Sequence, residues 1–439
     1  MKQCQLFLVV LLQIVPGLMF SAEEPATIDC EQIVRAAVEH SVILGVSDQE
    51  LRAVKAKGRQ VTAQGLPSLD LEIRAGRYQG LEDIVLGPVT IPFVENRYGV
   101  AASILQPVYT GNRLSSLAQN SILQEKAATS VRDGVRADVV LQARTAYWGW
   151  AKAFQSLSVL DAAVARMTEH AADVRHMNEA GLVTDSELLA TEVLVDRTRL
   201  ALEQAQRQVD RARVRIIFIT GMELASNSVP DCVMPDGIAG IPEEGGLLGM
   251  ALSQRPERTA RDIEVSASKE LAKAARGALY PQAYLTARYE QANPNLLNIP
   301  PVDEWKGDAF VGVSVSWNIF DWGFTQAKAE EADSRIAQAK LRLRQQEEQI
   351  TLEVRENCIA LRDALERVAL SSKALKSASL SLDAARDLWK NGVARHAEVL
   401  DAHARLTEVQ FEAVVARADV ILARAALSHA TGQTGMAQR

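Results

Sequence analysis

An internal repeat limits the fold of this 439-residue chain more than any other feature of its sequence. A shift of 211 positions aligns residues 109–221 with residues 320–432 without a gap. The matched pairs include Tyr109 with Phe320, Leu141 with Leu352, Arg144 with Arg355, Gly181 with Gly392, and Glu187 with Glu398. Because a repeat of this length is one structural unit used twice, the sequence predicts two equivalent halves that build a single object.

Both copies of the repeat lack proline, which indicates long helices. All 14 prolines lie at or before Pro107, between Pro230 and Pro294, or at Pro300 and Pro301. Since an interior proline costs a helix about 3 kcal/mol, their absence predicts helical hairpins over residues 112–220 and 324–431. The first arm, residues 112–180, would form a rod of roughly 100 Å. Its Tyr147, Trp148 and Trp150 are interpreted as packing between helices.

The returning arm of each hairpin carries a heptad pattern. Apolar or small residues recur at alternating spacings of three and four, which is the pattern of coiled-coil packing. In the first copy these positions are Leu188, Thr191, Val195, Thr198, Leu202, Ala205, Val209, Ala212, Ile216 and Ile219. In the second copy they are Val399, Ala402, Leu406, Val409, Ala413, Ala416, Val420, Ala423, Leu427 and Ala430. We therefore expect this face to be buried against neighbouring helices.

A shorter helical segment precedes the strands of each half. Residues 30–64 and 244–278 have a helical hydrophobic pattern, and each ends just before a Leu-Pro or Tyr-Pro pair. Each segment and its returning arm together match the length of the long first arm. We expect the two to stack end to end beside it.

Four segments alternate apolar and polar residues with a period of two, which predicts strands over residues 68–78, 97–107, 282–290 and 309–318. Thirteen of the 22 aromatic residues cluster around these strands. Strands with aromatic ends are typical of transmembrane β-barrels, although a soluble sheet packed on a core alternates in the same way. Four strands cannot close a barrel, so a barrel would need strands from several chains.

The ends of the chain complete the predicted organisation. Residues 1–22 have a basic start, an apolar run too short for a membrane anchor and a Ser21-Ala22 cleavage candidate, as secretory signals do. We expect the two halves at 23–222 and 243–433, joined by a linker at 223–242 and followed by a tail at 434–439. No later run of 18 apolar residues is present, so no transmembrane helix is predicted after the signal.

Three cysteines follow the signal: Cys30, Cys232 and Cys358. Cys30 and Cys232 each precede a half of the repeat, so they are the plausible pair for a disulfide in an oxidising compartment. Three free thiols are the alternative. Cys30 is not a lipoprotein cysteine, because Asp29 stands where a small residue is needed.

Composition and motifs point away from catalysis and from nucleic acid. The formal net charge is −7, which offers no strongly basic face to nucleic acid. Ser266 and Lys269 match a serine–lysine motif, but its partner motifs are missing and the pair lies within a predicted helix. No phosphate loop, Rossmann glycine pattern or CxxC pair is present. We therefore expect no cofactor and no enzyme activity.

Four histidines lie near the two predicted hairpin turns: His170, His176, His396 and His403. His396 and His403 are seven residues apart and share a helix face, which is compatible with metal sensing. A complete set of three or four ligands is not visible in the sequence. We therefore interpret these histidines as solvated polar residues.

Taken together, these features resemble the TolC-like outer-membrane efflux proteins. The resemblance covers nearly the whole chain after the signal and rests on the duplicated halves, the order of helices and strands, the strand-end segments and the turns. Those segments and turns are Pro107-Val108-Tyr109-Thr110-Gly111, Asn318-Ile319-Phe320-Asp321-Trp322-Gly323, Ala180-Gly181-Leu182-Val183 and Asn391-Gly392-Val393.

The resemblance implies a mostly α fold with a β-barrel portion. A homotrimer would form an α-helical barrel of long coiled-coil hairpins, continuous with a 12-stranded transmembrane β-barrel to which each chain gives four strands. It would sit in outer-membrane lipid, extend into the periplasm and work with a periplasmic membrane-fusion adaptor protein and an inner-membrane transporter. The expected function is the exit duct of a tripartite efflux system for small molecules or ions. A duct for type I protein secretion and a periplasmic coiled-coil scaffold without a pore are the alternatives.

The resemblance also implies a gate made of carboxylates near the turns. The matching residues are Glu398 and Asp401 in the second half and Glu187 at the equivalent place in the first. Three copies of each acid around a narrow throat would concentrate negative potential and favour cations. A solvated acidic patch beside a turn is the alternative.

The turns themselves are the expected docking points for the adaptor, at Gly181-Leu182 and Gly392-Val393. One position departs from the family pattern. The family has an arginine two residues after the second turn glycine, where this chain has Ala394, and Arg395 follows. Arg395 is therefore the candidate residue for stabilising the closed gate.

Overall fold

The computed structural model describes residues 26–80, 82–91, 93–225, 227–232, 243–299 and 301–433. The predicted signal at 1–22, the predicted tail at 434–439 and residues 233–242 of the predicted linker lie outside these residues. The described part is mostly α-helical and includes a smaller β-sheet.

Two long helical hairpins dominate the described residues. The helices of the first half are α1 (Cys30–His40), α2 (Val42–Ala63), α3 (Arg113–Glu179) and α4 (Asp185–Thr220). Those of the second half are α5 (Glu244–Gln254), α6 (Pro256–Gly277), α7 (Phe324–Lys390) and α8 (His396–Ala430). The long arms α3 and α7 have 67 residues each, as proline-free segments allow. In the part of the chain that the structure describes, no helix has both the length and the apolar character needed to cross a membrane.

The prediction of one continuous helix before the strands was wrong in both halves. In the first half, Ser41 adopts an extended conformation, and its hydroxyl accepts a hydrogen bond from the backbone N–H of Leu44, so it ends α1 and caps α2. In the second half, Arg255 is extended because Pro256 follows it, and Pro256 opens α6. Both segments are therefore two helices with a bend between them.

The helices are neighbours in a fixed order. At the turn end, α3 contacts both α4 and α8, and α8 contacts α7; at the sheet end, α3 contacts both α2 and α6, and α6 contacts α7. Thus α2 takes the place of α4 beside α3 at the sheet end, and α6 takes the place of α8 between α3 and α7. The expected end-to-end stacking needs one correction: α1 lies beside the last turns of α4, since Ile33 and Val34 share a core cluster with Val209 and Ile216.

The predicted heptad positions of α4 and α8 are all buried or partly buried, which confirms the coiled-coil face. The interpretation of the aromatic group in α3 is also confirmed. Tyr147 and Trp150 are almost fully buried, and Trp148 packs against the same cluster. The Tyr147 hydroxyl lies 3.0 Å from the carbonyl oxygen of Ile28 and 2.8 Å from that of Asp231. It therefore joins the start of the first half to the link between the halves.

Eight strands are present in the described residues. They are β1 (Thr27–Ile28), β2 (Ser68–Arg77), β3 (Ile84–Leu86), β4 (Val89–Ile91), β5 (Asn96–Tyr109), β6 (Val229–Pro230), β7 (Gln282–Asn293) and β8 (Lys306–Ser316). The main sheet is antiparallel, in the order β2-β5-β7-β8. The first loop between long strands contains the β3–β4 hairpin.

The register of the main sheet collects the apolar residues of its four strands on one face. Leu71 lies opposite Ala102, which lies opposite Tyr289, which lies opposite Ala309. The next row is Leu69, Ile104, Ala287 and Val311. The other face carries polar side chains such as Glu72 and Glu290 in line with Asp308. Large side chains of the apolar face are exposed in the single chain.

A short parallel ladder, β1 with β6, brings together the segments that precede Cys30 and Cys232. Both cysteines, and the buried Cys358, are free thiols in the structure. The alternative of three free thiols therefore describes this conformation. Burial raises the pKa of the Cys30 thiol to about 12.

Candidate functional site

The two hairpin turns lie at the end of the helices opposite the sheet and have the same backbone geometry. Gly181 and Gly392 adopt positive φ angles of 71° and 74°. The N–H of Leu182 donates to the carbonyl of Met177, and that of Val393 donates to the carbonyl of Leu388. These are Schellman motifs, in which a left-handed residue, usually glycine, ends the helix and satisfies its last carbonyls.

Each Schellman motif directs an apolar side chain into solvent. Leu182 is 71% exposed and Val393 is 74% exposed. A hydrophobic residue after the glycine commonly packs back on its own helix. Here the two side chains remain exposed, at the positions where the family resemblance implies adaptor docking.

Glu187 takes part in capping the start of its own helix, α4. Its carboxylate accepts hydrogen bonds from the Thr184 backbone N–H at 2.8 Å and hydroxyl at 3.1 Å, while the Glu187 N–H donates to that hydroxyl. This is a capping box, which fixes the start of α4. The hydrogen bonds from Thr184, with nearby His396, hold the pKa of Glu187 below its usual value. The Thr-x-x-Glu spacing of this capping box is readable in the sequence.

The second half lacks this capping box, so Glu398 has a different surrounding. Arg395 occupies the cap position without a side-chain cap, and its guanidinium lies 3.7 Å from the Glu398 carboxylate. Both side chains are largely exposed, and such pairs stabilise little. Asp401, also exposed, lies one turn further along α8. The structure thus brings Arg395 to Glu398, while Glu187 is bound to its own helix end.

Three of the four histidines read as solvated are buried, so that interpretation was wrong for them. His170, His396 and His403 are each at most 3% exposed, whereas His176 is exposed and lies 3.7 Å from Glu179. The ring centre of His170 lies 5.3 Å from those of both other buried histidines and of Trp389. These rings lie between the four helices α3, α4, α7 and α8. The hydrophobic pattern of each helix, taken by itself, does not show that the rings contact one another.

The Thr191 hydroxyl connects His396 to the start of α4. Its oxygen lies 2.8 Å from the carbonyl oxygen of Glu187 and 2.7 Å from His396 Nε2. Which of the two groups donates in the second contact depends on the tautomer of His396. His396 Nδ1 is buried with no hydrogen-bond partner.

Other candidate chemistry finds no support at these positions. Within the described residues, no group of three or more His, Cys, Asp or Glu side chains is arranged to hold a metal ion. Ser266 and Lys269 lie inside α6, which agrees with the prediction that this pair is within a helix. The tip is thus a set of exposed acids and apolar turn residues built over a buried aromatic and imidazole group.

Comparison with known proteins matches both halves of the chain. The profile of a family described as "Outer membrane efflux protein" matches residues 33–222 and residues 247–433. Outer membrane efflux protein BepC of Brucella suis is 26% identical over 320 residues, covering 72% of this chain and 68% of that protein. Outer membrane protein OprJ of Pseudomonas aeruginosa is 23% identical over 409 residues, covering 87% and 80%.

Solved structures share the fold. The crystal structure of the outer membrane protein VceC from Vibrio cholerae superposes with a TM-score of 0.77, at 17% identity, over 92% of this chain and 96% of that one. Because the identity is low, this similarity describes the arrangement of helices and strands only.

Proposed function

The chain belongs to the outer membrane efflux protein family, and we propose that it is the outer-membrane exit duct of a tripartite efflux system. Three copies would enclose a gated tunnel that passes small molecules or ions from the periplasm to the exterior. An inner-membrane transporter and a periplasmic membrane-fusion adaptor would deliver the cargo. The relatives named as outer membrane efflux proteins support this role.

The observation that carries the proposal is that the main sheet has an open edge on each side. Among the residues that the structure describes, the edge strands β2 and β8 each pair with one neighbouring strand. Leu69, Leu71, Val311 and Val313 on these edge strands are each more than 65% exposed. An open apolar edge is a site for pairing with another chain, and lipid does not tolerate it unpaired. Pairing β8 of one copy with β2 of the next closes twelve strands.

The helical layer has two matching edges. On α4 the large apolar residues that are more than half exposed recur at intervals of whole turns and are Leu189, Val193, Leu200, Val214 and Phe218. On α7, beyond Phe324 at its first position, they recur at two or three turns and are Leu341, Leu352, Ile359, Leu370 and Leu380. Each is more than half exposed in the single chain. Monomeric proteins rarely leave apolar side chains uncovered along one face of a helix over such a length.

The two stripes are in register if the turns of neighbouring copies lie level. Val193 follows Gly181 by 12 residues, and Leu380 precedes Gly392 by 12. Val214 and Ile359 are each 33 residues from those glycines. Since α4 and α7 run in opposite directions, these pairs would meet across the interface. A cyclic arrangement of three chains uses both stripes in every copy.

The entrance of the duct would be the tip of the hairpins. Glu398 and Asp401 lie one turn apart on α8, and Glu187 lies in the first turn of α4, so three copies would form an acidic, cation-favouring ring. Arg395, 3.7 Å from Glu398, would reduce the charge of that ring and hold the closed state. Leu182 and Val393, presented by Gly181 and Gly392, would meet the adaptor.

The test is conductance of the purified full-length protein in a planar bilayer. We expect a low-conductance pore that prefers cations, and a larger, less selective pore in the variant Glu398→Ala/Asp401→Ala. Asp196→Ala, which removes an exposed acid from α4 further from the turn, is the control and should leave both properties unchanged. Absence of conductance in all three proteins, with a monomeric particle in detergent, would overturn the proposal.

A further inference from the structure

The buried group at the tip joins the two halves of the chain. It consists of His170 on α3, Thr191 on α4, Trp389 on α7, and His396 and His403 on α8. Stacked, tilted and edge-on ring contacts at 5.1 to 5.3 Å connect Trp389 and the three imidazoles. We call these five residues the imidazole cluster.

Apolar residues enclose the imidazole cluster on both sides. Towards the turns, Val174 and Val399 pack with Trp389; on the other side, Met167 packs with Val195. Each of these small clusters takes residues from both hairpins. The first hairpin is therefore held to the second here by packing around the imidazoles.

Each buried imidazole has one ring nitrogen without a hydrogen-bond partner: His170 Nε2, His396 Nδ1 and His403 Nε2. A neutral imidazole carries a proton on one ring nitrogen, whereas a charged imidazole carries one on both. A charged ring would therefore hold a buried N–H without an acceptor, which is costly. The packed conformation therefore requires neutral rings.

The charged groups around the imidazole cluster do not stabilise a protonated imidazole enough to offset its burial. Arg166 of α3 and Arg386 of α7 face His403, and Arg386 also faces His170. Two carboxylates favour the protonated form instead: Asp173 of α3 acts to raise the pKa of His170, and Glu187 of α4 acts to raise that of His396. Burial outweighs these carboxylates and lowers the pKa of all three histidines, to about 4 for His170 and His403.

We propose that the imidazole cluster is a proton-binding site whose occupation separates the two hairpins at the tip when the periplasm becomes acidic. The cluster connects directly to the acids of the tip. The Thr191 hydroxyl joins His396 to the backbone of Glu187, and His396 lies between Arg395 and Glu398 in the first turn of α8. Its effect on the entrance rests on the proposed function, but proton binding and hairpin separation do not.

The direction and size of the effect follow from the pKa values. A histidine freed from the cluster regains an ordinary pKa of about 6.5, so the open form binds protons first as the pH falls. The packed form is fully stable above pH 6.5 and loses stability between pH 6.5 and pH 4. With a pKa of about 4 when packed, one such histidine raises the equilibrium constant for opening about thirtyfold at pH 5.

The experiment is hydrogen exchange, followed by mass spectrometry, on the full-length protein in detergent at pH 7.5 and pH 5.0, with times corrected for the intrinsic exchange rate. We expect protection of residues 163–175 and 396–406 to fall at least tenfold at pH 5.0. His170→Phe/His403→Phe keeps the aromatic packing and leaves His396 as the one histidine of the cluster, so it should lose much less protection than the parent protein. His176→Phe, at the exposed histidine of α3, is the control and should behave as the parent protein.

Two results would overturn the proposal. One is unchanged protection of the parent protein between the two pH values. The other is an equal loss of protection in His170→Phe/His403→Phe, which would assign the acid effect to carboxylates such as Glu398. If the double variant does not fold, His403→Gln replaces it, with a smaller loss expected than in the parent. Because none of these measurements needs a pore, failure of the duct proposal would be seen separately in the bilayer.

Discussion

The junction between strand β5 and helix α3 offers a sharp test of how the two halves are joined. Gly111 has a φ of 60° there, and a Cβ added to it would overlap the carbonyl oxygen of Gly277 and lie 2.8 Å from the Cβ of Tyr280. Gly277 ends α6 of the second half, and a Cβ on it would lie 2.7 Å from the Gly111 oxygen. The backbones of the two halves therefore touch at this point.

Two effects add in the variant Gly111→Ala. A left-handed backbone costs a residue with a Cβ about 1–2 kcal/mol. Displacing a rigid backbone neighbour costs about 1–3 kcal/mol more, as overpacking does in cores. We therefore expect Gly111→Ala to lower the free energy of unfolding by about 2–5 kcal/mol. Gly80→Ala is the matched control, because Gly80 also has a positive φ, 79°, but no atom near its Cβ position.

The assay is urea unfolding in detergent, followed by tryptophan fluorescence and analysed with a common slope for all variants. The excess of Gly111→Ala over Gly80→Ala measures the contact with Gly277. Equal losses in the two variants would refute the close approach of the halves, and with it the reasoning that this glycine is needed for space as well as for its backbone angle.

Three further predictions concern the cap, the core and a thiol. Thr184→Ala removes the capping box of α4 and should lower the free energy of unfolding by about 1 kcal/mol, while Ser186→Ala should have little effect. Trp150→Ala leaves a cavity in the core of α3 and should cost about 3–5 kcal/mol, measured in the same assay. Since the thiolate is the reactive form, Cys30, with its pKa raised to about 12, should react with iodoacetamide at pH 8 far more slowly in the folded chain than in urea.

These three predictions fail in distinct ways. Equal stability of Thr184→Ala and Ser186→Ala would mean that the cap contributes nothing. A loss below 1 kcal/mol in Trp150→Ala would contradict its burial in a rigid core. Equal labelling of Cys30 in the folded and the unfolded chain would contradict the burial of its thiol.

Features that depend on local periodicity were predicted from the sequence. The spacing of Leu188, Val195 and Leu202 identifies the buried face of α4 because a helix repeats its faces every seven residues. The alternation of Leu69 and Leu71 with charged residues likewise identifies the faces of β2. The rows that join these strands across the sheet then follow from their shared phase.

Features that depend on single residues were harder to predict. The break at Arg255 has a local cause in Pro256 that the sequence contains, and the same holds for the capping box of Thr184. The left-handed conformation of Trp322, with a φ of 54°, has no such signal, because tryptophan rarely adopts it. It occupies the repeat position of Gly111, and 90% of its side chain is exposed.

The imidazole cluster could not be predicted because its members are not close in sequence. His170 lies more than 200 residues from His396, and each histidine alone has the pattern of a surface residue. Only the packing of α3 against α8, with Trp389 from α7, places the rings together. The polarity of a side chain is therefore a poor guide to burial where two repeats meet.

The most direct test of the central claim, that three copies close a duct edge to edge, is a cysteine cross-link between α4 and α7. In a background without Cys30, Cys232 and Cys358, the pair Val214→Cys/Ile359→Cys should form covalent trimers on mild oxidation of native membranes. The mismatched pair Val214→Cys/Leu388→Cys, with Leu388 only four residues from Gly392, should remain uncross-linked. Monomers from both pairs, or equal cross-linking of both, would contradict the account.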